Sequence, residues 1–198
     1  SSNNYPTDFF NMIGIIALDS IFSAWPKVLI KSCDGGAYFG DATVKIKNIT
    51  MNFKGTKNVF GTVDYLNKIK WLQDRDEILL VGVGNGGLAA LAWADYFKSQ
   101  TKGKVRVLAD AGIWENDIND KTNDNFFEKR MKTMNKLFIN GGDFPNKKCQ
   151  AVNKDNLEKC FYASELVKYV DSSIEIFFLQ SYYDGWALEE ILGLDCTE

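Results

Sequence analysis

The chain holds no histidine among its 198 residues. That absence removes the usual neutral-pH proton carrier, every Ser-His or Cys-His catalytic pair and every imidazole metal ligand. An excess of one charge is also missing: 23 basic residues stand against 26 acidic ones, for a formal net charge of -3 and a pI near 5.2. Such a balance leaves no electrostatic footprint for nucleic acid or an anionic membrane, and neither partner is expected. No apolar run is long enough to cross a bilayer. The longest stretch without charge, Ile78 to Ala94, is short of the ~20 residues a span needs, and it contains Asn85 and four glycines. It reads as a buried strand, a turn and a helix. The four cysteines, Cys33, Cys149, Cys160 and Cys196, fit no CxxC metal spacing, which favours disulfide chemistry over a metal site; no cofactor is expected. Initiator methionine is absent at Ser1, and no charged segment leads into an apolar one. The chain therefore reads as a processed product or as part of a longer one, and a removed signal peptide would leave no trace.

What is present is enough for one substantial core. Hydrophobic residues make up 45% of the chain, and residues 1–198 read as a single domain. Val28 to Lys31 is a short apolar run closed by Cys33-Asp34-Gly35-Gly36, the pattern of a buried strand entering a Gly-rich turn. From Val59 to Leu72, the residues Val63, Leu66, Ile69 and Leu72 recur as on one face of a helix. Ile78 to Val83 predicts a second strand, followed by glycines and a helix through Leu88, Leu91, Ala92 and Phe97. Val105 to Leu108 predicts a further strand, broken by Asp110-Ala111-Gly112, and an acidic, Asn-rich loop leads to a helix from about Phe126 to Phe138. Gly141 and Gly142 end that helix, a short helical segment lies near Ser164 to Tyr169, and Ile174 to Leu179 predicts a last buried strand. Strands alternating with helices imply an α/β fold, a mostly parallel sheet with helices on both faces and ligands at the carboxyl ends of its strands.

The most informative local feature is Leu79-Leu80-Val81-Gly82-Val83-Gly84-Asn85-Gly86-Gly87. A buried strand that turns abruptly through glycines into a helix has the shape of a nucleophile elbow, where a GxSxG serine sits on a strained turn. Here Gly84 occupies the serine's place. The spacing of Gly82, Gly84 and Gly87 also fits a dinucleotide GxGxxG, with Asp110 ending the next strand, though farther on than the ~20 residues usual for the ribose-binding acid. A third reading is a tight strand-to-helix connection with no ligand.

Neighbouring motifs favour the first reading. Trp25 to Gly40 (WPKVLIKSCDGGAYFG) resembles a strand of the pectin acetylesterase and Notum family that ends in Cys-Asp-Gly. Met51 to Gly55 (MNFKG) is similar to that family's Phe-Arg-Gly segment, with Lys54 in place of arginine. Gly82 to Asp95 (GVGNGGLAALAWAD) resembles its GxSAGGLAA elbow, and Val105 to Gly112 (VRVLADAG) its strand ending in Asp-Ala-Gly or Asp-Ser-Gly. Cys149 to Phe161 looks like its Cys-loop-Cys-Phe stretch, and Ser181 to Trp186 (SYYDGW) like its Tyr-Asp-Ser-Trp motif.

The resemblance implies an α/β-hydrolase-like carboxylesterase fold, a secreted setting and a Ser-His-Asp triad acting on acetyl or acyl esters. Position by position, the family's aspartate falls on Asp184, its serine on Gly84 and the following alanine on Asn85, while its histidine has no match. The family's opening strands, with the Gly-rich loop that supplies oxyanion donors, are also unmatched. The resemblance further implies a Cys149–Cys160 disulfide, and a partner for Cys33 upstream of Ser1, leaving Cys33 free or bonded elsewhere here. Without a histidine to orient, Asp184 is expected to shape a turn, as are Asp34 and Asp110. Trp25, Trp114 and Trp186 could stack on a sugar, but core or rim packing is the expected role of aromatics beside strand ends.

Two functional classes follow. The first is a non-catalytic family member with a structural or interaction role, in which a protein partner covers an exposed sheet edge and a glycan is a further possible ligand. The alternative is an active secreted carboxylesterase whose missing catalytic parts lie outside this chain. A secretory location follows from the resemblance, and an intracellular assembly is the other setting. In a secreted chain, Asn48-Ile49-Thr50 would be an N-glycosylation sequon, with Asn48 as acceptor.

Overall fold

The computed structural model describes residues 20–139 and 142–194, so Cys196 and Gly141 lie outside the described residues. The chain parts into two units, Ser1–Cys33 and Asp34–Glu198. In the first, residues 20–25 form turns in which the Phe22 and Trp25 rings meet edge to face at 5.2 Å. The buried strand expected over Val28 to Lys31 is absent: residues 26–33 form no strand, and Val28 and Leu29 are exposed. A short apolar run specifies burial only when a neighbouring strand takes up its backbone groups, and no described ladder includes this one.

The second unit opens with a hairpin of β1 (Ala42–Ile46) and β2 (Ile49–Phe53), closed by Lys47 and Asn48. Its strands alternate strictly. One face carries Ala42, Val44, Ile46, Ile49, Met51 and Phe53; the other carries Thr43, Lys45, Thr50 and Asn52. Helix α1 (Gly55–Lys68) follows, four residues earlier than the periodicity suggested. It buries Val59, Val63 and Leu66, ends before the exposed Ile69, and leaves Leu72 buried in the turn beyond.

Three parallel strands, β3 (Glu77–Val83), β4 (Lys104–Asp110) and β5 (Glu175–Leu179), form the main sheet in the order β3-β4-β5. This is the parallel α/β arrangement expected. Helix α2 (Asn85–Ser99) packs against β3 and β4, burying Leu88, Leu91 and Ala92. On β4, Val105, Val107 and Ala109 are buried and alternate with more accessible residues. Phe60 of α1 meets Trp93 and Tyr96 of α2 at 5.4 and 5.1 Å, joining the two helices. The opposite sheet face is less covered. Val83, Phe177 and Leu179 are exposed there, and Arg106 bridges Glu77 and Glu175 across all three strands. The expected burial of the last strand is thus partial: among the described residues β5 lies at a sheet edge, and its outward residues alternate with half-buried Ile176 and Phe178.

A helical layer completes the unit. Helix α3 (Phe126–Met134) widens into a π-turn at Asn135–Ile139 instead of continuing regularly to Phe138, and Phe138 packs on Phe53 of the hairpin at 4.5 Å. An extra residue in the turn shifts the side chains that follow it around the helix axis. Short helices α4 (Lys147–Val152) and α5 (Ala163–Leu166) flank a 3₁₀ turn at Leu157–Phe161. Cys149 and Cys160 form the disulfide the resemblance implied. Beside it, Phe39, Phe144 and Phe161, all fully buried, pack ring on ring at 5.3–5.6 Å. Cys33 carries a free, exposed thiol. Among the described residues, no helix is long and apolar enough to cross a membrane and no cluster of His, Cys, Asp and Glu could hold a metal.

Candidate functional site

The β3–α2 turn is an elbow in its backbone. Strand β3 ends at Val83, helix α2 starts at Asn85, and Gly84 alone turns the chain, with φ 56° and ψ -118°. L side chains rarely adopt that φ. The turn is fastened on both sides: the Gly84 amide donates to the Asp110 carbonyl at 2.8 Å, and the Gly84 carbonyl accepts from the Gly87 and Leu88 amides at 2.9 and 3.3 Å. Gly82 answers a different need, because a Cβ there would lie 1.9 Å from the Gly86 carbonyl oxygen. The helix starts so close behind the strand that only a glycine fits between them.

A Cβ on Gly84, by contrast, would meet no heavy atom within 4 Å. The elbow keeps the open space a nucleophile would fill but has no side chain in it. Asn85 supplies the first amide of α2, the donor that faces the oxyanion in an intact elbow. Among the described residues β3 is an edge strand and β4 is central, so the elbow rises from the border of the described sheet.

Asp184 lies beyond β5, where its carboxylate is taken up locally. One oxygen accepts from the backbone amides of Trp186 and Ala187 at 3.0 and 3.3 Å, and the other from the Gln180 amide. Its carbonyl accepts from Leu188, so Asp184 caps the helical turn at Ala187–Ile191. Gln180 reaches back through its Oε1 to the Ile113 amide at 3.2 Å, tying this turn to the loop after β4. Nothing in the sequence marks Gln180 beyond its position next to the last strand.

The other named residues divide by role. Asp34 accepts from the Gly36 and Lys54 amides at 2.8 and 2.6 Å, holding its own turn against the start of α1. The Asp110 carbonyl anchors the elbow. Trp114 is buried and stacked on Trp186 at 5.6 Å; Trp186 is half-exposed, with Phe127 at its edge and the Arg130 guanidinium 6.0 Å from its ring. Trp25 is partly exposed in the first unit. The most open aromatics near the strand ends are Tyr182 and Tyr183, 93% and 80% exposed.

Electrostatic tuning is concentrated in the helical layer. Hydrogen bonds from Lys168 and then Tyr169 hold the Glu165 carboxyl at about 2, and Asn153, which also donates to the Cys149 carbonyl, adds to the effect. Burial pushes the Tyr162 phenol upward, and the nearby Glu128, Glu158 and Glu115 act in the same direction.

A parallel sheet with a glycine-bearing nucleophile elbow, and an acidic turn after a later strand, defines an α/β-hydrolase-type scaffold. Residues 16–198 match the family model described as Pectinacetylesterase, and the chain belongs to that family. It is similar to Pectin acetylesterase 5 of Arabidopsis thaliana, at 26% identity over 96% of this chain and 45% of that protein. Pectin acetylesterase 11 of the same plant is 23% identical over 87% of this chain and 43% of its own. Among solved structures, the Wnt deacylase Notum from Drosophila superposes with a TM-score of 0.62 at 17% identity, covering 75% of this chain and 44% of that one. The fold is therefore Notum-like, and the chain spans less than half the length of the relatives it matches.

Proposed function

We propose that this chain is a catalytically silent member of the pectin acetylesterase family, with a structural or interaction role in the secretory pathway or outside the cell. The observation that carries the reading is Gly84: the elbow's position of attack has no side chain. Removing the nucleophile or the base of a comparable triad costs on the order of 10⁶ in turnover. Here Gly84 offers no nucleophile and the sequence has no histidine to activate one. Asp184 spends its hydrogen-bonding capacity on its own turn.

The sheet supports the interaction half of the reading. Among the described residues its two edge strands have no outer neighbours, and Val83, Phe177 and Leu179 lie exposed on one face. Unpaired strand edges are commonly covered by another element or chain. A protein partner lying along the sheet is the favoured ligand, with a glycan the other class, suggested by the relatives' names. The disulfide supports an oxidising location.

The test is hydrolysis of p-nitrophenyl acetate by the purified chain. The expected trace is a stoichiometric acylation of lysines followed by the background rate. Repeated turnover that disappears in Asp184→Asn would overturn the proposal and favour an esterase completed by parts outside the chain.

A further inference from the structure

We propose that Asn48 carries an N-linked glycan. The inference rests on the secretory reading above, because only a lumenal chain meets the transferase. Asn48-Ile49-Thr50 is the one Asn-x-Ser/Thr tripeptide in the sequence. It falls at the two-residue turn of the β1–β2 hairpin, where residues 45–50 are all exposed. Lys47, the other turn residue, takes a positive φ of 54°, which reverses the chain directly before Asn48. The acceptor amide therefore lies in the exposed turn, and Thr50 at the exposed start of β2.

The hairpin's surface gives a second reason. Its apolar face is buried at the base, where Phe53 and Ala42 are 3% and 5% exposed. Toward the tip the same face opens, and Ile46, Ile49 and Met51 become exposed. A glycan on Asn48 would stand at the hairpin tip, next to the exposed Ile46 and Ile49, and cover part of that apolar surface. The polar face, with Thr43 bonded to Asn52 at 2.8 Å, needs no such cover.

The modification replaces one hydrogen of the Asn48 carboxamide with the sugar's anomeric carbon. A lipid-linked oligosaccharide is the donor, and its lipid diphosphate leaves with the displaced proton.

The full chain, translated behind a cleavable leader in the presence of microsomes, should gain a single endoglycosidase-sensitive mobility step. Asn48→Gln and Thr50→Ala should each abolish it, and Asn52→Gln should leave it. Absence of the step in the unsubstituted chain, or its persistence in Asn48→Gln, would overturn the proposal. The leader imposes the compartment, so failure at the sequon is separate from failure of the secretory reading. That reading is tested by fractionating the native protein and asking whether its Cys149–Cys160 pair is oxidised.

Discussion

The two turns that flank the sheet's carboxyl end differ in opposite ways: one is an elbow without a side chain, the other a carboxylate engaged in its own turn. At the β3–α2 turn the backbone is that of an elbow, with a positive φ at Gly84 and close packing at Gly82, and Gly84 places no side chain on it. At the Asp184 turn a carboxylate is present, and its oxygens serve Gln180, Trp186 and Ala187. Scaffold requirements explain both. The elbow joins a strand to the helix that covers the sheet, so its geometry serves packing whether or not a serine sits on it. A carboxylate that caps a helical turn likewise has a stabilising use without a histidine.

The comparison can be broken most severely at Gly82. Gly82→Ala places a Cβ within 2 Å of the Gly86 backbone and should cost about 3 kcal/mol or more, as overpacking against immobile backbone does. Gly84→Ala meets only the conformational penalty of its positive φ, about 1–2 kcal/mol. Urea melts of the two variants should rank them in that order; equal losses would mean that both glycines are conformational. Replacing Cys149 and Cys160 together by alanine opens the loop behind the Phe39–Phe144–Phe161 cluster and should lower stability by about 3 kcal/mol, read from the same melts.

Smaller effects sharpen the contrast. Asp184→Ala removes a cap and should cost about 1 kcal/mol, with Asp184→Asn recovering most of it. A carboxylate kept for charge alone would not be rescued by asparagine. A pH-dependent effect is expected at Glu165, whose carboxyl is lowered in the folded chain from 4.5 to about 2. Its stabilising contribution is complete above the unfolded value near 4.5 and is lost as the pH falls from there toward 2. Stability should therefore decline less steeply between pH 5 and 3 in Glu165→Gln than in the unsubstituted chain.

Much of this was legible because backbone constraints leave direct marks in sequence. The apolar runs of β3 and β4, each ending at glycine or Asp-Ala-Gly, and the elbow between β3 and α2 could be read from residue types alone. Neighbour-dependent features could not. Val28 to Lys31 is as apolar as β4 but forms no strand, and β5 has a core strand's composition but lies at an edge among the described residues. The hairpin escaped notice because its Lys47-Asn48 turn lacks the glycine that usually signals one, although its period-two alternation was present. At the candidate site, Gly84 was visible from spacing, whereas the use of Asp184 as a cap depended on Gln180 and two backbone amides brought together by the fold.

The central proposal is that this chain is catalytically silent, and Gly84→Ser tests it most directly. The position has room for a side chain, so a serine there is not excluded sterically, and a folded variant would still have no histidine in this sequence to activate it. Acetate release from p-nitrophenyl acetate should match the unsubstituted chain and the uncatalysed background. A rate well above both, and lost again when Asp184→Asn is added, would contradict the account.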